Sequence, residues 1–333
     1  QHQHQHQHRL APPPTPLPPV DYAIAIPTYH RVDDFRKWTY ALLKRAGLLG
    51  KVVLFLQCDE DVRDYGSAFP ELQIVRSPLG LHQTANFISQ HWMDGKKVLQ
   101  LHDDIKQVNK FVWKENGDGK QPTATREPVV DLGEVVVELF GHMEKHGAHL
   151  GGIYLNNNAG QGLGNKDAVS TKNAFIHDPF TALIVRRGAV VLEEKFKQKQ
   201  DAERSVKYFI LDGVVVRMNH YGMEVQKHNS PSATGGFGLR TLEQDQQATR
   251  VFLEQYGAYV ERTRVHTDGI SGFQFRPNHP RPTDTADKAL QQYEQRLLEW
   301  QNKQQQQQPT TTAPTTTAPS PAVPQPQPQP QPQ

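Results

Sequence analysis

Along residues 20–101 short apolar runs alternate with longer stretches of mixed polarity. DYAIAIP at Asp21–Pro27, KVVLFL at Lys51–Leu56, QIVR at Gln73–Arg76 and KVLQL at Lys97–Leu101 read as buried strands, each bounded by Pro, Gly or charged residues. Between the first two, a helix is predicted from about Phe35 to Ala46. Asp33 or Asp34 caps it, Leu42 and Leu43 face inward, and Gly47 closes it. Gly80 opens a second helical stretch, Gln83 to Trp92. Continuous rather than alternating strands, separated by helices, predict a mostly parallel central sheet covered on both faces. The second half is less regular. Leu132–His146 has the stripe of an amphipathic helix, Leu150–Tyr154 reads as a strand, and Asn156–Asn165, rich in Asn and Gly, as a loop. Further strands are expected at Phe180–Val185 and Gly213–Met218, with helices over 241–256 and from about Thr285 to Trp300.

The ends of the chain carry no such pattern. Residues 1–19 alternate Gln and His before a proline run, and 301–333 are Gln, Thr and Pro repeats. Neither can offset its ordering entropy by burial, so both are expected to be disordered tails. The expected layout is a tail (1–19), an α/β domain (20–280), a C-terminal helix (281–300) and a second tail (301–333). Imidazoles of the Gln/His repeat could chelate a metal, though a low-complexity tail needs no such role.

Composition narrows the picture in three respects. Cys58 is the only cysteine, which rules out an intrachain disulfide and fits a reducing, intracellular compartment, nuclear or cytoplasmic. A net charge of +2 gives no support for a broad nucleic-acid-coating surface, although a local basic groove fits within it. No run approaches the roughly 18 apolar residues of a membrane span, so no membrane partner is expected. The chain begins with Gln, which leaves an upstream segment open.

Candidate chemistry gathers where the predicted strands end: Thr28–Arg31 after the first, Asp59–Asp61 after the second, His102–Asp104 after the fourth. Parallel sheets bind ligands at the carboxyl ends of their strands. In VLQLHDDIKQV the adjacent Asp103 and Asp104 repel each other and raise one another's pKa unless a cation lies beside them. A helix cap or solvated turn is the plainer account, but no helical stripe follows. Oxygen ligands at a strand end suit Mg²⁺ or Mn²⁺, which keep waters and take substrate phosphates as further ligands.

Several stretches together resemble the GT-A glycosyltransferases, a Rossmann-like nucleotide-diphospho-sugar transferase fold, and within them the TET/JBP-associated (base J type) branch. They are IPTYHR…TYALLKRAGL, SPLGLHQTANFI, LQLHDDI, HLGGIYLNNN, QKQDAERSVKYFILDGVVVRMN and GGFGLR, in order from about Tyr22 to Thr263. The resemblance implies a metal-dependent, inverting hexosyltransferase. It implies transfer of a hexose, glucose, from a UDP-sugar to a hydroxyl, with that of a hydroxymethylated pyrimidine in DNA as the acceptor it suggests. It places the nucleotide against Pro27, Tyr29, Arg31 and Asp59, with Asn86, Gly235, Gly236 and Arg240 around the diphosphate and sugar. It implies Asp104 as metal ligand, Asp103 as ribose contact or second ligand, and His228 as a third ligand. Asp201 is the implied base, with Glu203 as substitute. The chain departs from the family pattern at His102, where a third acid is expected, and at Thr84 and Ala85, where related enzymes often carry an arginine.

The residues add their own chemistry. Tyr29 offers a stacking face and Arg31 a fork that matches phosphate. Gly235 and Gly236 let backbone close over a phosphate that Arg240 would neutralise. An acid at Asp201 also suits a helix N-terminus. A DNA acceptor would be flipped out of its duplex and would need a basic approach surface, for which Lys106, Lys110, Lys114, Arg186, Arg187, Lys195, Lys197 and Lys199 are candidates. Three alternatives stay open: a glycosyltransferase acting on protein or glycan, a glycosyltransferase-like binding module without turnover, and a DNA-binding protein without sugar chemistry.

Overall fold

The computed structural model describes residues 20–116, 121–155, 157–165, 167–172, 174–196, 199–226, 242–265, 271–276, 278 and 295. Four strands open the chain: β1 (Tyr22–Thr28), β2 (Val52–Leu56), β3 (Gln73–Arg76) and β4 (Lys97–Leu101). They lie side by side in the order β3-β2-β1-β4, all parallel, with Ile24 opposite both Val52 and Leu99. Between them run α1 (a helical series Val32–Phe35, Arg36–Tyr40 and Ala41–Arg45, the middle segment π-helical), α2 (Asp59–Ala68) and α3 (Leu81–His91). Gly47, at φ +68°, ends the first as expected. Asp33 and Asp34 sit inside its first turn rather than capping it, where the helix dipole favours them.

The sheet continues past β4 through β9 (Phe180–Ile184), β7 (Leu150–Tyr154), β10 (Val216–Val225), β5 (Ile105–Lys114) and β6 (Thr123–Pro128), with the short β8 (Val169–Ser170) on β10. β1, β2, β3, β4, β6, β7 and β10 point one way, and β5, β8 and β9 the other. The α/β, mostly parallel expectation is therefore met, with β9 inserted in reverse between β4 and β7. The helices α4 (Leu132–His146), α5 (Ala159–Leu163), α6 (Gln200–Asp212) and α7 (Leu242–Tyr256) complete the main body, and β11 (Val260–Val265) and β12 (Ser271–Phe275) form a separate hairpin.

Continuous apolar strands need cover on both faces, and they have it. Ile24, Ile26, Leu54, Leu56, Leu99 and Leu101 point toward Phe35, Leu43, Tyr65, Leu139 and Phe140 of α1, α2 and α4. Their alternates Ala25, Val53, Phe55 and Val98 meet Ile88 of α3 on the other side. On the reverse face of the second half, Val206 and Phe209 of α6 pack with Phe252 of α7.

Several expectations are corrected. The segment Asn156–Asn165 is not all loop, because Ala159–Leu163 is a short helix whose first turn is capped by the Asn158 side chain accepting from the Gln161 N–H. Gly162 is required there, since a Cβ would stand 2.3 Å from the Phe111 ring. Gly213, at φ +72°, terminates α6 rather than starting a strand, and the strand itself runs Val216–Val225. Phe180–Ile184, one residue shorter than expected, and Leu242–Tyr256 match well. Gln295 apart, the helix over Thr285–Trp300 and both tails lie outside the described residues. Among the described residues no helix is long and apolar enough to cross a membrane.

Candidate functional site

The carboxyl ends of β1, β2 and β4 meet over one edge of the sheet. Thr28, the last residue of β1, donates to Asp103 Oδ2 at 2.6 Å, and its hydroxyl is also 2.6 Å from Tyr65 Oη. A threonine hydroxyl has one proton, so Tyr65 donates to Thr28 and Thr28 to Asp103. Burial raises the Tyr65 phenol well above its usual pKa, which keeps that donor protonated. Just after β1, Arg31 reaches Asp103 Oδ1 with Nη1 at 2.9 Å and Asp104 Oδ2 with Nη2 at 3.4 Å. Its Nε lies 3.6 Å from Asp34.

The cation beside the paired aspartates is thus a guanidinium of the chain itself. Asp103 is buried, and both its oxygens are engaged, so it holds the corner together. Burial pushes its carboxyl above the ordinary aspartate range, and the opposing pull of Arg31 and Thr28 does not fully offset it. Thr39 of α1 clamps the turn from beneath, donating to His102 O and accepting from Ile105 N–H, each at 2.8 Å. The turn is short because β5 begins at Ile105, immediately after the acidic pair.

The β1 and β2 ends are tied by His30. At φ +51°, a left-handed backbone rare for a residue with a Cβ, its N–H points at both oxygens of Asp61 (3.1 Å each) and its Nδ1 lies 3.1 Å from Oδ1. Asp61 is almost fully buried in the first turn of α2, whose N-cap Cys58 accepts from the Asp61 N–H. His30, Cys58 and Asp61 bring three ligand atoms within 4.8 Å of one another. The hydrogen bonds from His30 already occupy Asp61, so the trio works as a brace between two strand ends.

A third group joins from the second half. Because β9 is antiparallel to β4, with Phe180 opposite Leu101, the residues entering β9 arrive at the same edge. His102 N–H donates to Pro179 O at 3.2 Å. Two residues earlier, His177 Nδ1 lies 3.1 Å from Asp201 Oδ2 at the start of α6. The other Asp201 oxygen accepts from Ala202 N–H at 2.8 Å. Burial pushes the Asp201 carboxyl up, but the hydrogen bond and charge of His177, the Ala202 N–H and Lys199 outweigh it and hold it below the usual range. Ser205 fixes the geometry, accepting from Ile176 N–H at 2.9 Å and donating to Asp201 O at 2.8 Å.

The edge therefore gathers Arg31, Asp103, Asp104 and Asp201, with Tyr29 half-buried beside His30 at 4.0 Å between ring centres. Other expected residues are placed differently. Pro27 is buried within β1 and offers no open surface. Asp59 is largely exposed on α2, paired with Arg76 at 3.0 Å. Both ends of the Asn86 amide are bonded to the backbone of Leu192, at 2.9 and 2.7 Å. Glu203 is fully buried, 2.5 Å from Lys207 and accepting from Glu193 N–H. His228, Gly235, Gly236 and Arg240 lie outside the described residues, as does Lys197; the strand leading toward the first four ends beside Asp104, where Gln226 N–H donates to Asp104 O at 2.9 Å. Part of the expected basic surface is already paired. Lys199 is buried against Asp245 (2.9 Å), Lys195 meets Glu193 (2.8 Å), and Arg186 meets Asp212 (2.8 Å) at the opposite edge of the sheet.

The sequence matches no protein-family model and no curated protein. Its structure resembles a number of solved structures. The S. aureus TarS fragment 1–349 is 13% identical with 72% of each chain covered and a TM-score of 0.39. Glucosyl-3-phosphoglycerate synthase from Mycobacterium tuberculosis, in complex with Mn²⁺, UDP-glucose and phosphoglyceric acid, is 11% identical over 77% of this chain and 89% of that one, at 0.40. A CMP:2-keto-3-deoxy-manno-octonic acid synthetase complexed with CTP is 11% identical over 71% of this chain and 100% of that one, at 0.35. Likeness at this level decides neither fold nor activity, and the reading of the site stands on its own residues.

Proposed function

We propose that the chain is a metal-dependent glycosyltransferase that takes glucose from UDP-glucose and passes it, with inversion, to a hydroxyl acceptor. What supports this reading is the convergence of Arg31, Asp104 and the His177–Asp201 pair on one edge of the sheet, in the order the motif resemblance implies. Tyr29 would present its ring to the base and Asp59 its carboxylate to the base edge. Asn86, bonded to Leu192, would act by shaping the loop beside the sugar. Gly235, Gly236 and Arg240 would close over the diphosphate, with Pro27 lending only backbone position.

The donor set fits one divalent ion of the Mn²⁺ or Mg²⁺ kind. Asp103 cannot ligate without surrendering a hydrogen bond, whereas Arg31 approaches Asp104 less closely, at 3.4 Å against 2.9 Å. Asp104 would hold the ion, with His228, two residues beyond Gln226, as a further ligand. One carboxylate is enough for a metal that takes substrate phosphates and waters for the rest. Bound there, the ion supplies charge neutralisation for a departing diphosphate. The chain's own part is to orient: Arg31 and Thr28 fix the acidic corner, and the Asp201 end of the site receives the acceptor's proton.

A hydroxymethylated pyrimidine in DNA as acceptor rests on the resemblance alone, and the pairing of Lys195, Lys199 and Arg186 with acids removes three of its basic candidates. A second reading, a binding module without turnover, is favoured by the self-neutralised acidic corner and by His102 in place of an acid. One experiment separates them: UDP release from UDP-glucose with Mn²⁺, alongside UDP-dependent thermal stabilisation. We expect both in the wild type and neither in Asp104→Ala. Stabilisation without UDP release establishes the binding module, and the absence of both in the wild type refutes the proposal.

A further inference from the structure

The convergence of His177 with Asp201 leaves open which of the two takes the acceptor's proton. Asp201 is poorly suited. One oxygen accepts the Ala202 N–H and the other faces His177 Nδ1, and its lowered pKa makes it a weak base. His177 is arranged in the complementary way. Facing a carboxylate, Nδ1 carries the proton, which leaves the lone pair on Nε2. That nitrogen makes no hydrogen bond among the described residues, and the side chain keeps 26% of its surface open. Its backbone is held firmly, with His177 O accepting from Phe180 N–H at 3.3 Å and Thr181 Oγ1 at 3.1 Å. Asp178, next in the chain, is turned away to Arg204 at 3.2 Å and to Gln200. Lys199, on the Asp201 side, is neutralised by Asp245. Of the charged groups around the imidazole, Asp201 is therefore the one directly bonded to it.

Resting on the glycosyltransferase reading, we propose that His177 is the catalytic base and that Asp201 is its positioning residue. The acceptor O–H proton passes to His177 Nε2 as the oxygen forms its bond to the anomeric carbon. The anomeric C–O bond to the diphosphate breaks, and its electron pair leaves on the phosphate oxygen. The Asp201 carboxylate stabilises the resulting imidazolium and holds the productive tautomer.

UDP-glucose hydrolysis by the full chain with Mn²⁺, water serving as acceptor, tests this through the pH profile of kcat. The wild-type rate should rise along an acid limb and then level off, as general-base catalysis requires. His177→Asn can still bond Asp201 but lacks Nε2. It should lose roughly 10²–10⁴-fold in kcat and the acid limb of the profile, with UDP-dependent thermal stabilisation and KM little changed. His177→Gln serves as a second variant if the first is unstable. A wild-type profile with no acid limb overturns the assignment. So does a His177→Asn enzyme within about threefold of wild type while Asp201→Asn is inactive, which returns the proton to Asp201. Absence of UDP release and of UDP stabilisation in the wild type is a different result, and it removes the glycosyltransferase reading itself.

Discussion

Replacing Arg31 with Met should cost more stability the higher the pH. The guanidinium faces Asp103 at 2.9 Å and Asp104 at 3.4 Å, and both carboxylates are buried. At an effective dielectric of about 20, one pair of unit charges 4 Å apart is worth about 4 kcal/mol. Leaving a buried partner uncompensated costs about 3–5 kcal/mol, and the loss of the loose Asp104 contact adds little. We therefore expect Arg31→Met to lower unfolding stability by about 3–5 kcal/mol at pH 7.5. The pH dependence follows from Asp103. Its folded pKa already lies above the usual value, because burial outweighs Arg31 and Thr28. Such an acid binds protons more tightly when folded, so stability is lost as pH rises from about 3.9 through the folded pKa. Removing Arg31 raises that pKa further, extending the loss by about 1.4 kcal/mol per additional unit. Below about pH 4 both proteins carry a neutral Asp103, and the gap should shrink to the small packing difference. Urea unfolding at a series of pH values measures it. A gap that stays constant, or widens on acidification, refutes the electrostatic account of this corner.

Other expectations concern the same framework. Thr28→Val removes the donor to Asp103 and strands the Tyr65 hydroxyl, which should cost about 1–3 kcal/mol, read by chemical denaturation. Lys207→Met leaves the fully buried Glu203 without its partner and should cost about 3–5 kcal/mol, whereas UDP stabilisation measured at a temperature where the variant is folded should be retained. Gly162→Ala forces a methyl against Phe111 and Asn219 O and should lower stability by about 1–3 kcal/mol through overpacking, visible as a reduced melting temperature.

The first hundred residues were legible because each strand is a continuous apolar run and each turn carries its own punctuation. β3, β4, α4 and β7 fall where the pattern puts them. The order of elements left room for α2 but gave it no bounds, because its sequence, DEDVRDYGSA, has no apolar stripe; among its hydrophobic side chains only Tyr65 is fully buried, with Val62 and Ala68 packed more loosely on the core. β6 escaped for a similar reason: TATREP is a largely exposed edge strand, paired to β5, with no apolar run to mark it. The acidic pair marked a corner in need of a cation, but its neutralising partner lay 72 and 73 residues upstream in Arg31, and charge alone could not say whether the cation was a metal or a side chain. His177 had no signal of its own. It is one of sixteen histidines, and it meets Asp201 only because β9 runs against its neighbours.

That reversed strand decides where new sequence can enter the molecule. In a uniformly parallel sheet every loop that precedes a strand lies on the face remote from the ligand, where insertions do little harm. Here the segments before the reversed strands are exceptions, among them the acidic turn before β5 and the stretch before Phe180: lengthening the latter would shift an imidazole, while lengthening the turn after Ile184 would alter only the far rim. Variation among descendants of this chain should accordingly concentrate behind β9 and thin out in front of it.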